Sequence, residues 1–373
     1  MRLGVSAALV GGVLHRGDVA VVDGRVAAVG LPPAAGGAVA VPGLVDVQCN
    51  GYAGVDLTAA DDLADVHALR AALARDGVTA VAPTVITAAP DTTTTALRTL
   101  DSARPSPHGA RLLGAHVEGP FLSPARPGTH PPEFLRAPDP ASFEAFRTAG
   151  AVAITTIAPE LPGAHAVLAA ALQAGVTVMA GHSDASAADA RAGFDAGITG
   201  ATHLFNAMSG FDHRAPGLAA AALAHPGTVV TVIADGHHVD PDVLRVVAAA
   251  ARGRWALITD ATAAAGLGRT HGTFRLGDVE LTLADGAVRN PDGTLAGSAA
   301  TLAGCVRVAV AAGIDLADAL VAATATPARL VGPGHRPHPD LGVLRPGGVA
   351  DVTVLDDGLQ VTRVLLGGEE VDR

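Results

Sequence analysis

Short apolar runs recur through the middle of the chain: 44–48 (LVDVQ), 78–83 (VTAVAP), 112–117 (LLGAHV), 151–157 (AVAITTI), 176–180 (VTVMA), 198–202 (ITGAT), 228–233 (TVVTVI) and 255–259 (WALIT). Near-continuous runs of this length, bounded by turn residues, predict strands buried on both faces. Between most of them lie Ala-rich stretches of helical spacing, among them 61–76, 91–103, 163–175, 186–196 and 240–252. Strands alternating with helices predict parallel strands joined by crossovers. Eight such units predict an α/β architecture, a (β/α)8 barrel over residues 44–329.

The two ends have a different texture. Residues 1–43 and 330–373 are Val-rich short strands punctuated by Gly, as in GVLRPGGVADVTVLDDGLQVTRVLLGGEEV. They predict one small β-sandwich domain built from both termini. Within the barrel, the turns LGD, ADG and PDG across 266–297 predict a β insertion, followed by closing helices near 299–312 and 315–325.

Composition narrows the functions open to this fold. With 49% hydrophobic and 16% charged residues, the chain builds a large core and does not read as disordered. The net charge is −11, with no basic block, which argues against a nucleic-acid surface. All 25 basic residues are arginine. The absence of lysine excludes a Schiff-base lysine, a phosphate-loop lysine and a carbamylated-lysine metal bridge. Two cysteines, Cys49 and Cys305, make no disulfide framework and fit a reducing cytoplasm. No apolar run approaches the roughly 20 residues of a membrane span. The opening MRLGVSAALVGGVL mimics a short signal peptide but runs on into strand, Asp-Gly turn and strand. The expected location is therefore the cytoplasm, with no membrane partner.

In a barrel of this kind, chemistry sits at the carboxyl ends of the strands. Polar residues follow six of the eight predicted strands, in chain order Gln48-Cys49-Asn50, His116-Val117-Glu118, Gly181-His182, His203, Asp235-Gly236-His237-His238 and Asp260. A lone histidine there is more often a structural hydrogen-bonder, and a lone aspartate a helix cap. Several aimed at one ring mouth point instead to a metal site. Glu118, His182 and His203 form a set of two imidazoles and one carboxylate. Three protein ligands leave a position open, the mark of a catalytic site, and a bound metal would activate water and polarise a carbonyl. Asp260 is placed to accept the proton of that water and return it to a leaving amine. His116 is expected to be a core histidine, and Asp235 to cap a turn. Cys49 should alternate away from the site. His15, His67, His165, His225, His335 and His338 are expected to be solvated.

Several strings together resemble the amidohydrolase superfamily, and within it the N-acetylglucosamine-6-phosphate deacetylase family. They are PGLVDVQCNGYAGVDLT (42–58), HVEGPFLSPARPGTH (116–130), GHSDA (181–185), THLFNAM (202–208), RAPGLA (214–219), ADGHHVD (234–240), ITDATAAAG (258–266), LAGSAATL (295–302) and the tail LGVLRPGGVADVTVLD (341–356). The resemblance implies the same barrel with a small terminal β-sandwich, metal ligation by Glu118, His182 and His203, and Asp260 as acid/base. It also implies that His130 holds or polarises an acetamide. Thr129, Asn206, Ala207, His238 and Leu295-Ala296-Gly297 match substrate-contact positions. Arg214 matches an arginine that crosses a homodimer interface to hold the neighbouring subunit's substrate phosphate.

One departure is informative. Many superfamily members carry His-x-His after strand one, where a second metal binds, but this chain has Gln48 and Asn50, which are placed with the substrate contacts. A single divalent transition metal per subunit is therefore expected. Zinc suits the ligands best, with iron, cobalt or manganese also compatible. The expected reaction is hydrolysis of N-acetylglucosamine-6-phosphate to glucosamine-6-phosphate and acetate in amino-sugar metabolism. A deacetylase of another amino-sugar phosphate, such as the galactosamine epimer, would share these motifs. A non-catalytic sugar-phosphate-binding protein on this scaffold would have lost some of Glu118, His182, His203 and Asp260, and all four are present.

Overall fold

The computed structural model describes residues 1–372. Eight parallel strands follow the predicted runs: β1 (Leu44–Cys49), β2 (Val78–Ile86), β3 (Ala115–Glu118), β4 (Val152–Ile157), β5 (Thr177–Ala180), β6 (Gly200–Ala201), β7 (Val229–Ile233) and β8 (Trp255–Ile258). Each pairs in parallel with the next, so spatial order equals chain order and the protein is a nearly closed (β/α)8 barrel. Every residue of β1 and of the nine-residue β2 is buried, as expected for strands walled by helices outside and side chains inside.

The β8/β1 seam closes differently. Asp46 on β1 accepts the Thr259 hydroxyl at 2.5 Å and the Thr259 N–H at 3.3 Å. Beyond it, Asp260 N–H donates to the Gln48 carbonyl and Asn50 N–H to the Ala261 carbonyl. This stitching places Gln48, Asn50 and Asp260 side by side. Burial pushes the Asp46 carboxyl up to about 7.

The expected helices form, and most start on a side-chain cap. Asp62 caps Leu63–Arg75, Asp240 caps Pro241–Ala250, and Ser186 with Asp189 makes a capping box for Ala187–Asp195. Helices Pro140–Ala149 and Leu218–Ala224, which the sequence pattern does not single out, complete the ring. After β8 a four-stranded antiparallel sheet (Gly272–Leu276, Val279–Ala284, Ala287–Arg289, Leu295–Ser298) folds over the mouth.

Strands from both ends of the chain share one six-stranded sheet, in the order Val13–Arg16, Ala7–Val10, Val39–Pro42, Val352–Leu355, Val361–Leu366, Glu369–Glu370. A second sheet pairs Asp18–Val22 with Arg25–Leu31. A separate core joins them, including Val5, Val19, Val26, Ala40, Val352 and Leu365. The apolar opening segment thus supplies a strand of this sheet. No helix among the described residues is long and apolar enough to cross a membrane.

Candidate active site

The strand ends deliver their polar side chains into one cavity of about 540 Å³. Three of the residues that turn inward do so with backbone in the left-handed region: His182 (φ 47°), His203 (φ 31°) and Asp260 (φ 49°). Residues other than glycine rarely adopt this conformation, and such strain clusters at functional sites.

Glu118, at the end of β3, is buried. Its Oε1 lies 3.2 Å from His182 Nε2 and 3.0 Å from His203 Nε2, and the two nitrogens are 3.0 Å apart. His182 Nδ1 faces the Arg126 carbonyl at 3.1 Å and so carries the ring proton, leaving a lone pair on Nε2. Lone pairs of imidazole and carboxylate converging this closely repel unless a cation sits among them. Ligands around tetrahedral zinc, at bond lengths of about 2.0–2.1 Å, lie about 3.3 Å apart. The donor set therefore fits a metal ion.

His130 offers a competing triad, since one ligand atom of each of Glu118, His130 and His182 falls within 4.8 Å of the others. Its environment argues for a different role. Nδ1 accepts the Thr87 N–H at 3.2 Å and the Thr87 hydroxyl at 2.8 Å, which leaves the ring proton on Nε2. Nε2 is 4.0 Å from Glu118 Oε2, farther than the close contacts of the other two histidines. Burial, and next the charge of His182, push its pKa well below the usual imidazole value, so the ring is a neutral N–H donor. Replacing Thr87 with Val removes one of the two bonds fixing that tautomer. The expected result is kcat lowered by about fivefold, the worth of one hydrogen bond, with unchanged metal content. Steady-state kinetics with elemental analysis checks it; unchanged kcat would mean the N–H alone sets the ring.

Asp260 is the second carboxylate. Asn50 Nδ2 donates to its Oδ1 at 2.7 Å, and Gln48 Nε2 spans Asp260 Oδ1 (3.2 Å) and Glu118 Oε1 (3.1 Å). One amide thus holds two carboxylates that would otherwise repel. Burial, then the charge of Glu118, raise the Asp260 carboxyl to about 6. A base poised near neutrality is suited to proton transfer in both directions.

The remaining expected residues divide. Asn50, Thr129, Asn206, Ala207, His238, Leu295 and Gly297 line the cavity with the four core residues and His130. Asn206 braces its own turn through the His203 and Leu204 carbonyls. Asp235 does cap its turn, accepting the N–H groups of His237 and His238, and its other oxygen takes His238 Nδ1 at 2.7 Å. Gln48, Ala296 and Arg214 do not line the cavity. Gln48 lies behind the wall between the two carboxylates. Ala296 is buried between lining neighbours on an alternating strand. Arg214 sits exposed in a loop closed by the Phe211–Pro216 bridge, with its N–H held by Asp212. Glycine is required at 297: φ is 60°, and a Cβ would meet the Asp260 carbonyl oxygen at 2.7 Å.

His116 is a core histidine, bonded to the Val47 carbonyl and to Thr156 Oγ1. Cys49 is buried, its thiol directed to the Gly51 carbonyl. His338 corrects the expectation of a solvated ring: it is largely buried and its Nε2 contacts Asp351 Oδ2 at 2.8 Å.

A model of the amidohydrolase family matches residues 39–371. The chain belongs to the amidohydrolase family. It is 37% identical over 334 residues to N-acetylgalactosamine-6-phosphate deacetylase of Escherichia coli O157:H7, covering 88% of this chain and 86% of that one. It is 38% identical over 350 residues to N-acetylglucosamine-6-phosphate deacetylase of Mus musculus, covering 90% and 84%. Among amidohydrolase structures, it matches an aspartate-to-alanine variant of N-acetyl-D-glucosamine-6-phosphate deacetylase from Mycobacterium smegmatis in complex with N-acetyl-D-glucosamine-6-phosphate. The TM-score is 0.91 at 37% identity, covering 100% of this chain and 99% of that one.

Proposed function

We propose that this amidohydrolase is a metal-dependent deacetylase that hydrolyses N-acetylglucosamine-6-phosphate to glucosamine-6-phosphate and acetate. The observation that carries this reading is the pairing of an amide-held Asp260 with the Glu118–His182–His203 triad at the floor of one cavity. The similarity to amino-sugar-phosphate deacetylases along most of the chain supports the substrate class.

Glu118, His182 and His203 would hold one divalent ion, zinc suiting this donor set best. That ion, when bound, acidifies water and polarises a carbonyl. Asp260 takes a proton from the attacking water and returns it to the departing sugar nitrogen. His130 donates a hydrogen bond from its Nε2–H to the acetamide oxygen as charge builds there. Gln48 and Asn50 keep Asp260 and Glu118 in place. Thr129, Asn206, Ala207, His238 and the Leu295–Gly297 strand form the substrate wall, with Gln48 and Ala296 behind it.

The phosphate needs a cation, and the cavity itself offers few. Among the described residues Arg126 is the one arginine in the cavity lining, and its Nε is engaged by Asp184 at 2.8 Å. Arg214, by contrast, has no side-chain partner among the described residues. Near its loop an apolar groove is lined by Phe205, Phe211, Leu223, Val239, Val243 and Val246, with Phe211 and Val246 more than half exposed. Both features support a homodimer in which Arg214 completes the neighbouring site. The division of labour is then a catalytic barrel (44–329) and a supporting β-sandwich (1–43 with 330–373). A phosphorylated sugar is retained inside cells, which supports a cytoplasmic enzyme.

Side-by-side steady-state kinetics on the 6-phosphates of N-acetylglucosamine and N-acetylgalactosamine tests the substrate assignment. The expected outcome is a higher kcat/KM for the gluco epimer. A clear preference for the galacto epimer would reassign the substrate, while turnover of neither would remove the amino-sugar reading.

A further inference from the structure

A second cavity, of about 560 Å³, lies at the opposite end of the barrel from the metal triad. Its wall includes Arg111 and Leu112, which pair with Ala80 and Val81 near the start of β2, whereas Glu118 ends β3 at the other mouth. The cavity is as large as the active site, and three arginines, Arg104, Arg111 and Arg336, line it together with His335. The carboxylates present offset only part of this charge. Asp101 takes Arg104 Nη1 at 3.2 Å, and Asp351 takes two nitrogens of Arg111 and also His338. Among the described residues Arg336 has no carboxylate partner; its Nε donates to the Val331 carbonyl. Arg104 Nε is buried without a hydrogen-bond partner among the described residues. Buried polar atoms are seldom left so, and an unmet donor marks a place where something else binds.

A fourth arginine builds the wall. Arg70 is fully buried, and no carboxylate pairs with it among the described residues. Its guanidinium donates to the carbonyls of Ala103, Ser106 and Ala110, pinning the segment that carries Arg104. Pro105, Pro107 and Pro337 stiffen the rim. The result is a preformed basin with excess positive charge in an otherwise acidic chain.

We propose that this basin is a binding site for a small phosphate-bearing anion, separate from the catalytic cavity and independent of the substrate assignment. The guanidinium fork matches phosphate oxygens, and the basin offers unspent donors from Arg104 and Arg336. Free phosphate and a phosphate monoester share this chemistry.

Isothermal titration of the metal-loaded full chain with inorganic phosphate, then with glucose-6-phosphate, tests the site. Arg104→Gln combined with Arg336→Gln should weaken binding of the preferred anion by at least about tenfold, the value of losing a charge-assisted bond, while Arg214→Ala leaves that event in place. Unchanged melting temperature and turnover in the double variant show that the fold is intact. Should it fail to fold, Arg336→Gln alone, which gives up a single hydrogen bond to a backbone carbonyl, should still weaken the binding. Tighter binding of the monoester identifies a phosphorylated metabolite as the occupant, and tighter binding of phosphate the free ion. Binding of neither anion, or binding that Arg214→Ala removes and the basin variants do not, overturns the proposal.

Discussion

Asp260→Asn should retain the metal and bind substrate yet lose turnover by about 10²–10⁴-fold, the usual contribution of a general acid–base group. The substitution is nearly isosteric, and the asparagine carbonyl can still accept the Asn50 and Gln48 amides that hold Asp260 Oδ1. What it cannot do is take a proton from water. The carboxyl at about 6 is adjusted for that task by burial and by Glu118. Kinetics paired with elemental analysis separates the possibilities. Near-normal turnover would move the base to His130 or His238. Loss of metal would make Asp260 a ligand.

Arg214→Ala should raise KM for the 6-phosphate by about 10- to 150-fold, the range expected when a charge-assisted partner is removed. It should change little for unphosphorylated N-acetylglucosamine. Among the described residues the cavity of one subunit has a single lining arginine, Arg126, whose Nε is engaged by Asp184. The dimer reading has its own check. Mixing Asp260→Asn subunits with Arg214→Ala subunits should restore activity, because one hybrid site combines an intact Asp260 with the other chain's intact Arg214. If subunit exchange is demonstrated and no activity returns, Arg214 acts within its own subunit or does not bind phosphate.

The barrel was legible because parallel strands buried on both faces leave apolar runs that no surface residue interrupts. Their ends were less so. Strand two reads as stopping at Pro83, yet β2 continues to Ile86, because the proline falls where the β1/β2 ladder shifts register between Asp46 and Cys49. That three-residue error hides Thr87, which sets the tautomer of His130. The clustering of Glu118, His182 and His203 was visible from residue types alone once they were placed on strand ends. The role of Gln48 was not: spacing shows an amide after strand one, but only the closed seam shows it lying between Glu118 and Asp260. Helix Leu218–Ala224 escaped notice because it is a seven-residue Ala-rich stretch without a side-chain cap. The burial of His338 has no local sequence signal because its partner, Asp351, lies in a strand-starting segment thirteen residues on, close only after folding.

A metal titration tests the single-ion site most directly. Chelator-stripped protein is reloaded with increasing zinc, and acetate and glucosamine-6-phosphate released from N-acetylglucosamine-6-phosphate are measured at each step. The predicted result is no turnover without metal and equimolar products that rise linearly and saturate at one ion per chain, as the single triad with Gln48 and Asn50 in place of a histidine pair requires. Full turnover by the metal-free chain, a requirement for two ions per chain, or no acetate at any loading would contradict it.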